Sequence, residues 1–370
     1  MTAPRVLYFC GSSVIGGIEV FVADCIKEHA KEDKFRSSIF ILRDGEFYKW
    51  CQSQGINITL STIDVRLRSL LSWFRFQRAF LHFLKKERID IVVAPLGYMV
   101  IFGSIAARIA KVKFIWFQHG IVSKRLDKLA SFFPYDAMLF NSKFTQRAFI
   151  DQVGVPKCPS DVILLQPNIS FNSEQAKSLN DKHASKHGLL ICVGRFEALK
   201  GYEVAVKTLE YLATQHIHPN LIFVGDAKTA EQKDYFHLVK TLSSNSPCRN
   251  QISFLGFKNN PHDYIAASDI LLQTSLVGES FGLVVAEAMY LGTYCLSFDH
   301  GGQAEQISNN PKQGTTIPFD LGAEGFASQV ERYLAQPSFS NTTKYSIPTR
   351  SEQGSMIEQL ESVYQEVLSA

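Results

Sequence analysis

The stretch GESFGLVVAEAMYLGTYCLSFDHGGQAEQI, Gly278 to Ile307, decides how this chain is read. It follows DILLQTS (269–275), a short apolar run bounded by polar residues, which reads as a buried strand. Small residues from Gly278 to Gly282 break the pattern. GLVVAEAMYLG then reads as a helix of about three turns with Val284, Val285, Ala288 and Met289 on its buried face and Gly292 as its stop. TYCLSFD (293–299) is the next strand. A strand, a tight loop and a helix leave backbone N–H groups of Phe281, Gly282 and Leu283 at a helix start, which favours anions. Glu279 and Glu287 flank that start. They would repel a phosphate unless they face donors, and sugar or ribose hydroxyls are such donors. A ligand that is part phosphate and part polyol satisfies both features. A carboxylate beside a helix start with a solvated helix glutamate gives the same pattern.

Outward from this unit the alternation continues. Strand candidates are RVLYFC (5–10), SSIFILR (37–43), IDIVVAP (89–95), KFIWFQ (113–118), AMLFNS (137–142) and DVILLQP (161–167). LLICVGR (189–195), NLIFVGD (220–226) and QISFLGF (251–257) follow a polar stretch. Helical runs separate most of them, the pattern of parallel sheets wound by helices. The expected fold is α/β, with two Rossmann-like parallel-sheet domains and an interdomain cleft. The expected boundaries are an N-terminal acceptor-side domain over 1–168, a linker over 169–187, a C-terminal donor domain over 188–350 and a C-terminal helix over 351–370. The linker is placed there because Asn168 to His187 is polar and lacks a long apolar run. Ligands of open parallel sheets sit beyond the carboxyl ends of the strands.

Composition narrows the class. With 370 residues, 46% hydrophobic and 20% charged, the chain can fill two ordinary cores. The seven cysteines are odd in number and scattered without a CxxC pair, which argues for reduced thiols and against a zinc site. The start lacks the basic-then-apolar order of a signal peptide, and the longest uncharged run, Ile91 to Ala107, is broken by Pro95, Gly97, Gly103 and Ser104. A cytoplasmic protein, peripheral on the inner face of the membrane at most, is expected. The net charge of +3 hides an asymmetry: residues 1–167 hold 23 Lys+Arg and 14 Asp+Glu (23 − 14 = +9), and the remainder 15 − 21 = −6. Within the basic half, Arg66 to Arg88 (RLRSLLSWFRFQRAFLHFLKKER) carries seven basic residues, one acid and five Trp or Phe. It reads as a basic amphipathic helix suited to an anionic membrane surface, or as a packing helix with its aromatics inward. No nucleic-acid motif is present, and the other half is acidic.

Three further groups bear chemistry. CGSSVIGGIEVFV places Gly16 and Gly17 between the first strand and a helix; it lacks the Lys-Ser/Thr of a P-loop and is not GxGxxG, which disfavours a dehydrogenase. VGRFEALKGYE (193–203) puts Gly194, Arg195 and Lys200 after a buried strand, two cations suited to a diphosphate or to an ordinary charged loop. His119, in WFQHG, follows a strand, where an imidazole can donate to a hydroxyl or serve the fold.

Together these blocks resemble glycosyltransferase family 4, the retaining, nucleotide-sugar-dependent group with the GT-B fold, over nearly the whole chain. GGIEVF (16–21) resembles its N-terminal glycine loop, VGRFEALKG its donor-phosphate loop, FLGF (254–257) its nucleobase strand end, and Tyr264 to Ile307 its most specific block. The resemblance implies that Arg195 and Lys200 bind the donor diphosphate, Glu279 the transferred sugar, Glu287 the ribose, and His119 the sugar near the reacting carbon. It also implies donor contacts at Gly16, Gly17, Gly194, Gly225, Phe257, Ser280, Phe281, Gly282 and Leu283. No metal and no cofactor are implied, only a nucleotide sugar as substrate. The implied activity is transfer from a UDP- or GDP-linked sugar to a hydroxyl of a glycan or lipid-linked acceptor, in cell-surface glycan, lipopolysaccharide or glycolipid synthesis. A nucleotide-sugar epimerase or sugar phosphorylase of the same fold, or a non-catalytic nucleotide-sugar binder, are the rival readings. Asn168 to Phe171 departs from the family's Asn-Gly-x-Asp, and Gln303 and Ala304 replace its more usual residues before Glu305.

Overall fold

The computed structural model describes residues 3–11, 14–65, 69–335 and 355–370. The contacts divide the chain into two units, the first running to Gln166 and joined by the C-terminal helix, the second beginning at Pro167. In the first, β1 (Arg5–Cys10), α1 (Gly17–Glu32), β2 (Arg36–Ile41), α2 (Glu46–Ser53), β3 (Ile58–Leu60), α3 (Leu70–Lys86) and β4 (Ile91–Ala94) come first. Then follow α4 (Gly97–Ala110), β5 (Lys113–Gln118), α5 (Leu126–Ala130), β6 (Ala137–Phe140), α6 (Lys143–Gln152) and β7 (Ser160–Val162). The strands form one sheet in the order β3-β2-β1-β4-β5-β6-β7, and every pairing is parallel.

The apolar runs take this form because both faces of the sheet are buried. Val6, Tyr8 and Cys10 point into one core and Leu7 and Phe9 into the other; Ile91 and Val93 against Val92 and Ala94 repeat the alternation. A period of two with apolar residues on both sides is what a helix-covered parallel sheet requires.

The second unit contains α7 (Ser173–His183), β8 (Leu189–Val193), α8 (Tyr202–Thr214), β9 (Asn220–Val224), α9 (Ala230–Asn245), β10 (Ile252–Gly256) and α10 (Pro261–Ala267). After these come β11 (Ile270–Gln273), α11 (Leu283–Tyr290), β12 (Tyr294–Phe298), α12 (Gly301–Asn309), β13 (Gly314–Ile317) and α13 (Gly322–Leu334). The parallel sheet runs β10-β9-β8-β11-β12-β13. Chain order reverses between β8 and β11, so the helices that follow these two strands, α8 and α11, pack on opposite faces of the sheet and the switch point lies at the strands' carboxyl ends.

Four expectations change. The polar stretch over 169–187 is not a free linker: it contains α7, capped by Asn172 Oδ1 accepting from the N–H groups of Glu174 and Gln175. Its buried stripe is only Ala176 and Leu179, too little apolar signal to show in the sequence. The Gly282 helix is Leu283–Tyr290, closer to two turns than three. The basic aromatic helix begins at Leu70, residues 66–68 lying outside the described part, and it is mainly a packing helix: Phe76, Gln77, Phe80 and Leu84 are buried. Gln77 is satisfied there, donating to the Phe102 carbonyl at 2.6 Å and accepting from the Ala106 N–H at 2.9 Å. The short edge strands β3 and β13 carry no sustained apolar run and were not expected. No helix among the described residues is long and apolar enough to cross a membrane.

The last helix, α14 (Met356–Ser369), belongs to the first unit. Ser355 and Glu358 form its capping box. Met356, Leu360, Tyr364 and Val367 enter the core that holds Tyr8 and Cys25. The hydroxyls of Tyr8 and Tyr364 share a hydrogen bond of 3.0 Å, and Lys34 Nζ lies 3.3 Å from Glu361 Oε2.

Candidate functional site

At the switch point of the second unit the loop leaving β8 is locked to the loop leaving β11. The Leu276 N–H donates to the Leu199 carbonyl at 2.8 Å, and Thr274 Oγ1 to the Lys200 carbonyl at 2.8 Å. Gly201, at φ 59°, permits this approach: a Cβ there would lie 2.8 Å from the Leu276 side chain. Gly194 and Gly225, at φ 143° and 152°, end β8 and β9 with their backbones in contact, and no side chain fits between them. These two glycines therefore shape the floor behind Lys200.

Glu279 is the centre of this arrangement. Lys200 Nζ donates to its Oε1 at 2.5 Å, Gln273 Nε2 at 2.6 Å and Ser275 Oγ at 2.8 Å. About a fifth of the side chain (22%) remains open to solvent, as for Lys200. Burial alone would raise the carboxyl; the Lys200 charge and the three donors outweigh it and hold Glu279 below the usual carboxylate range. Gln273 and Ser275 are functional partners the sequence reading missed. The available signal was a glutamine closing an otherwise apolar strand, DILLQ.

Beyond Glu279, Gly282 turns the chain into α11 at φ 85°, with Phe281 and Gly282 buried and Ser280 and Leu283 partly so. The first N–H groups of α11 have no partner within the helix. One turn on, Glu287 Oε1 lies 3.7 Å from His262 Nε2 on α10. Burial would lower this imidazole, but Glu287, the Ser170 carbonyl and Asp263 outweigh it, so His262 is raised above its ordinary value and favours an ion pair. The Asn168–Phe171 departure is resolved by the same histidine, whose Nδ1 lies 3.1 Å from the Ser170 carbonyl, and by the Asn172 N–H donating to Asp263 at 2.7 Å. Arg195 is half exposed (50%) and pairs with Glu197 at 3.3 Å, beside Lys200 in sequence but outside the Glu279 cluster. Phe257, after β10, is exposed, with the Lys228 ammonium 5.8 Å from its ring centre.

His119, Gly16 and Gly17 belong to the first unit. Gly16 is the extended N-cap of α1 and Gly17 its first residue, so the two glycines stand where the segment after β1 enters the helix. Its neighbour Glu19 reaches back to accept the Gly16 N–H at 3.0 Å. The His119 ring, at the end of β5, lies in an apolar enclosure. It is 4% exposed, 4.5 Å from the Phe21 ring and 4.2 Å from Phe117, with Nε2 enclosed and unpaired among the described residues. Burial lowers its pKa to about 3, so it is neutral at pH 7.

Two outcomes follow from these environments. On acidification the unfolded chain protonates His119 and the folded chain does not, so this group's contribution is present above its unfolded pKa and lost below it. Denaturant unfolding at pH 8 and pH 5 should show the parent protein losing about 2 kcal/mol more than His119→Gln; parallel losses would contradict this. Removing Lys200 strands a carboxylate with two neutral donors. Lys200→Met should lower stability by about 1–3 kcal/mol, and adding Glu279→Gln should return much of it. A double variant no more stable than the single one would show that the pair is not the cause.

Comparison with known proteins agrees with this layout. Residues 15–164 match the model described as "Glycosyltransferase Family 4", and residues 174–349 the model "Glycosyl transferases group 1". Human "Alpha-1,3/1,6-mannosyltransferase ALG2" is 24% identical over 220 residues, 56% of this chain and 52% of that one. Staphylococcus aureus "Capsular polysaccharide biosynthesis glycosyltransferase CapH" is 23% identical over 350 residues, 90% of this chain and 92% of that one. The chain spans about half the length of the first curated relatives it matches. Anabaena Alr3699/HepE, solved in complex with UDP, superposes with a TM-score of 0.78 at 21% identity, covering 98% of this chain and 100% of that chain. Two parallel Rossmann-like sheets, the strand orders above and matches to both halves of the chain lead to one assignment: this chain belongs to glycosyltransferase family 4 and has the GT-B fold.

Proposed function

We propose that the chain transfers a sugar, with retention, from a nucleotide diphosphate donor to an acceptor hydroxyl. The observation that carries this is the convergence of Lys200, Gln273 and Ser275 on one oxygen of Glu279 beside the start of α11. All three donors take Oε1, which directs Oε2 toward hydroxyl donors of a sugar. Lys200 and the α11 amides supply positive potential for a diphosphate, with Arg195 beside them on the β8–α8 loop. Glu287, about one turn along α11, is spaced to take the two ribose hydroxyls, and the ring of Phe257 offers an apolar surface for the base.

The chemistry asked of these groups is modest. The departing phosphate gains negative charge as the glycosidic bond breaks, and preorganised donors stabilise that charge where it develops. Front-face attack lets the departing phosphate accept the acceptor's proton, so neither glutamate has to act as nucleophile. Because lysine, arginine and helix amides provide the positive charge, transfer is proposed to need no metal. A UDP- or GDP-linked donor is proposed, since relatives are named for each, and a cell-surface glycan acceptor is favoured by the name of CapH.

The basic first unit supports an acceptor held at an anionic surface. Leu70, Leu71 and Phe74 stand exposed at the start of α3, next to exposed Arg75 and Arg78. Basic groups near an anionic leaflet contribute about 1 kcal/mol each, and a few apolar side chains add to this, enough for reversible binding.

Two experiments test the proposal. With a panel of UDP, GDP, ADP and TDP sugars and candidate acceptors, Lys200→Ala and Glu279→Ala should each lower kcat/KM at least about a hundredfold, the scale of losing one stabilising donor or its partner. Unchanged transfer in both would remove the site assignment, and epimer release without acceptor would favour the epimerase reading. In flotation with anionic vesicles, Leu71→Asp/Phe74→Asp should abolish binding shown by the parent protein; absence of parental binding would remove the membrane role.

A further inference from the structure

The segment HGGQAEQ, His300 to Gln306, makes contacts that neither the phosphate nor the sugar role explains. Helix α12 begins here and runs alongside the loop that carries Glu279. The Gly302 N–H donates to the Glu279 carbonyl at 2.8 Å, and the Glu279 N–H donates to Gln303 Oε1 at 3.0 Å. His300 Nε2 lies 3.0 Å from the Ser275 carbonyl. Gln306 Nε2 donates to the carbonyl of Phe281 and lies 3.3 Å from that of Gly282. Gln303 is wholly buried, and its Nε2 has no partner among the described residues.

Backbone contact makes this register tight. A Cβ on Gly302 would lie 2.8 Å from the Phe281 Cα, and one on Gly282 would lie 2.6 Å from the Gln303 Cβ. A glutamine at the third position of a helix ordinarily reaches back to its own N-cap. Gln303 instead holds the main chain of another loop. Gln306 does the same for the peptide entering α11.

We propose that Gln303 and Gln306 are positioning residues that set the donor loop from α12, with separate effects on the two parts of the ligand. This rests on the reading of Glu279 and the α11 start as the sugar and diphosphate sites. In a trans peptide the C=O and N–H point in opposite directions. With the Phe281 carbonyl drawn to Gln306, the Gly282 N–H faces away from α12, and the carbonyl is kept from turning toward an incoming anion. Gln306 therefore acts on diphosphate affinity. Gln303 fixes the peptide that leads into Glu279, and so the direction in which that carboxylate is presented. It therefore acts on the sugar and on turnover.

Calorimetry with UDP, GDP and their nucleosides, together with steady-state transfer, separates these effects from a general loss of structure. Gln306→Met should weaken the preferred nucleoside diphosphate about tenfold, the scale of one hydrogen bond to a charged group, and leave its nucleoside within about twofold. Gln303→Met should leave the diphosphate within about twofold but lower kcat for the nucleotide sugar about tenfold or more. Isosteric variants guard against misfolding. Gln303→Glu keeps an acceptor for the Glu279 N–H and should recover turnover relative to Gln303→Met. Gln306→Glu has no donor for the Phe281 carbonyl and should bind diphosphate no better than Gln306→Met. Equal losses for nucleoside, diphosphate and sugar, or a drop in melting temperature with no change in these ratios, would overturn the proposal. Lys200→Ala and Glu279→Ala serve as references. If they transfer normally, the underlying site reading falls; if they fail while both glutamine variants match the parent, only this inference falls.

Discussion

A partly buried carboxylate has to be answered by donors, and the second unit is organised around answering Glu279. Its partners come from separate places: Gln273 closes β11, Ser275 follows it, and Lys200 arrives from the loop after β8. Holding Lys200 there requires the β8 loop to lie against the β11 loop, which the Thr274 hydroxyl, the Leu276 N–H and the side-chain-free Gly201 achieve. The ion pair is thus both a product and a condition of the switch-point geometry. Loss of either partner leaves a charge that water reaches only in part, which is costlier than the pair is favourable.

The architecture was legible because it rests on apolar runs. Nearly every long run became a strand, and the alternation of Val6, Tyr8 and Cys10 against Leu7 and Phe9 is visible as soon as both sheet faces are assumed covered. Where burial rests on few residues, the signal disappears. Helix α7 buries Ala176 and Leu179 and was read as linker; β3 and β13 lie at sheet edges and were not read at all. Charge counts left α3 open between a membrane face and a packing face; Phe76, Phe80 and Leu84 pack inward and the first turn remains apolar and exposed.

The candidate site was legible in its charges and opaque in its supports. Arg195, Lys200, Glu279 and Glu287 stand out because charges of both signs follow buried strands at turns into helices, where anions are favoured. Gln273, Ser275 and His262 do not stand out, since such a side chain shows its role only through the partner it reaches. For His119 a position after a strand admits a functional or a structural reading, and what the sequence does not display is that Phe21 and Phe117 surround the ring and keep it neutral. What decides such cases is the neighbour brought in from a distant part of the chain, and residue spacing does not encode it.

The placement of α14 has a consequence for how the protein comes to be made. Met356, Leu360, Tyr364 and Val367 belong to the same core as Tyr8, Cys25 and Phe21, residues separated from them by the entire second unit. During synthesis the first unit leaves the ribosome with that core covered by α1 and α2 but open where α14 will pack, and the second unit is translated before the missing helix arrives. The buried Tyr8 hydroxyl then waits for Tyr364, its partner 356 positions later. Of the two units, the one translated earlier is therefore the later to be finished, and its early form presents an apolar patch on which a chaperone could act.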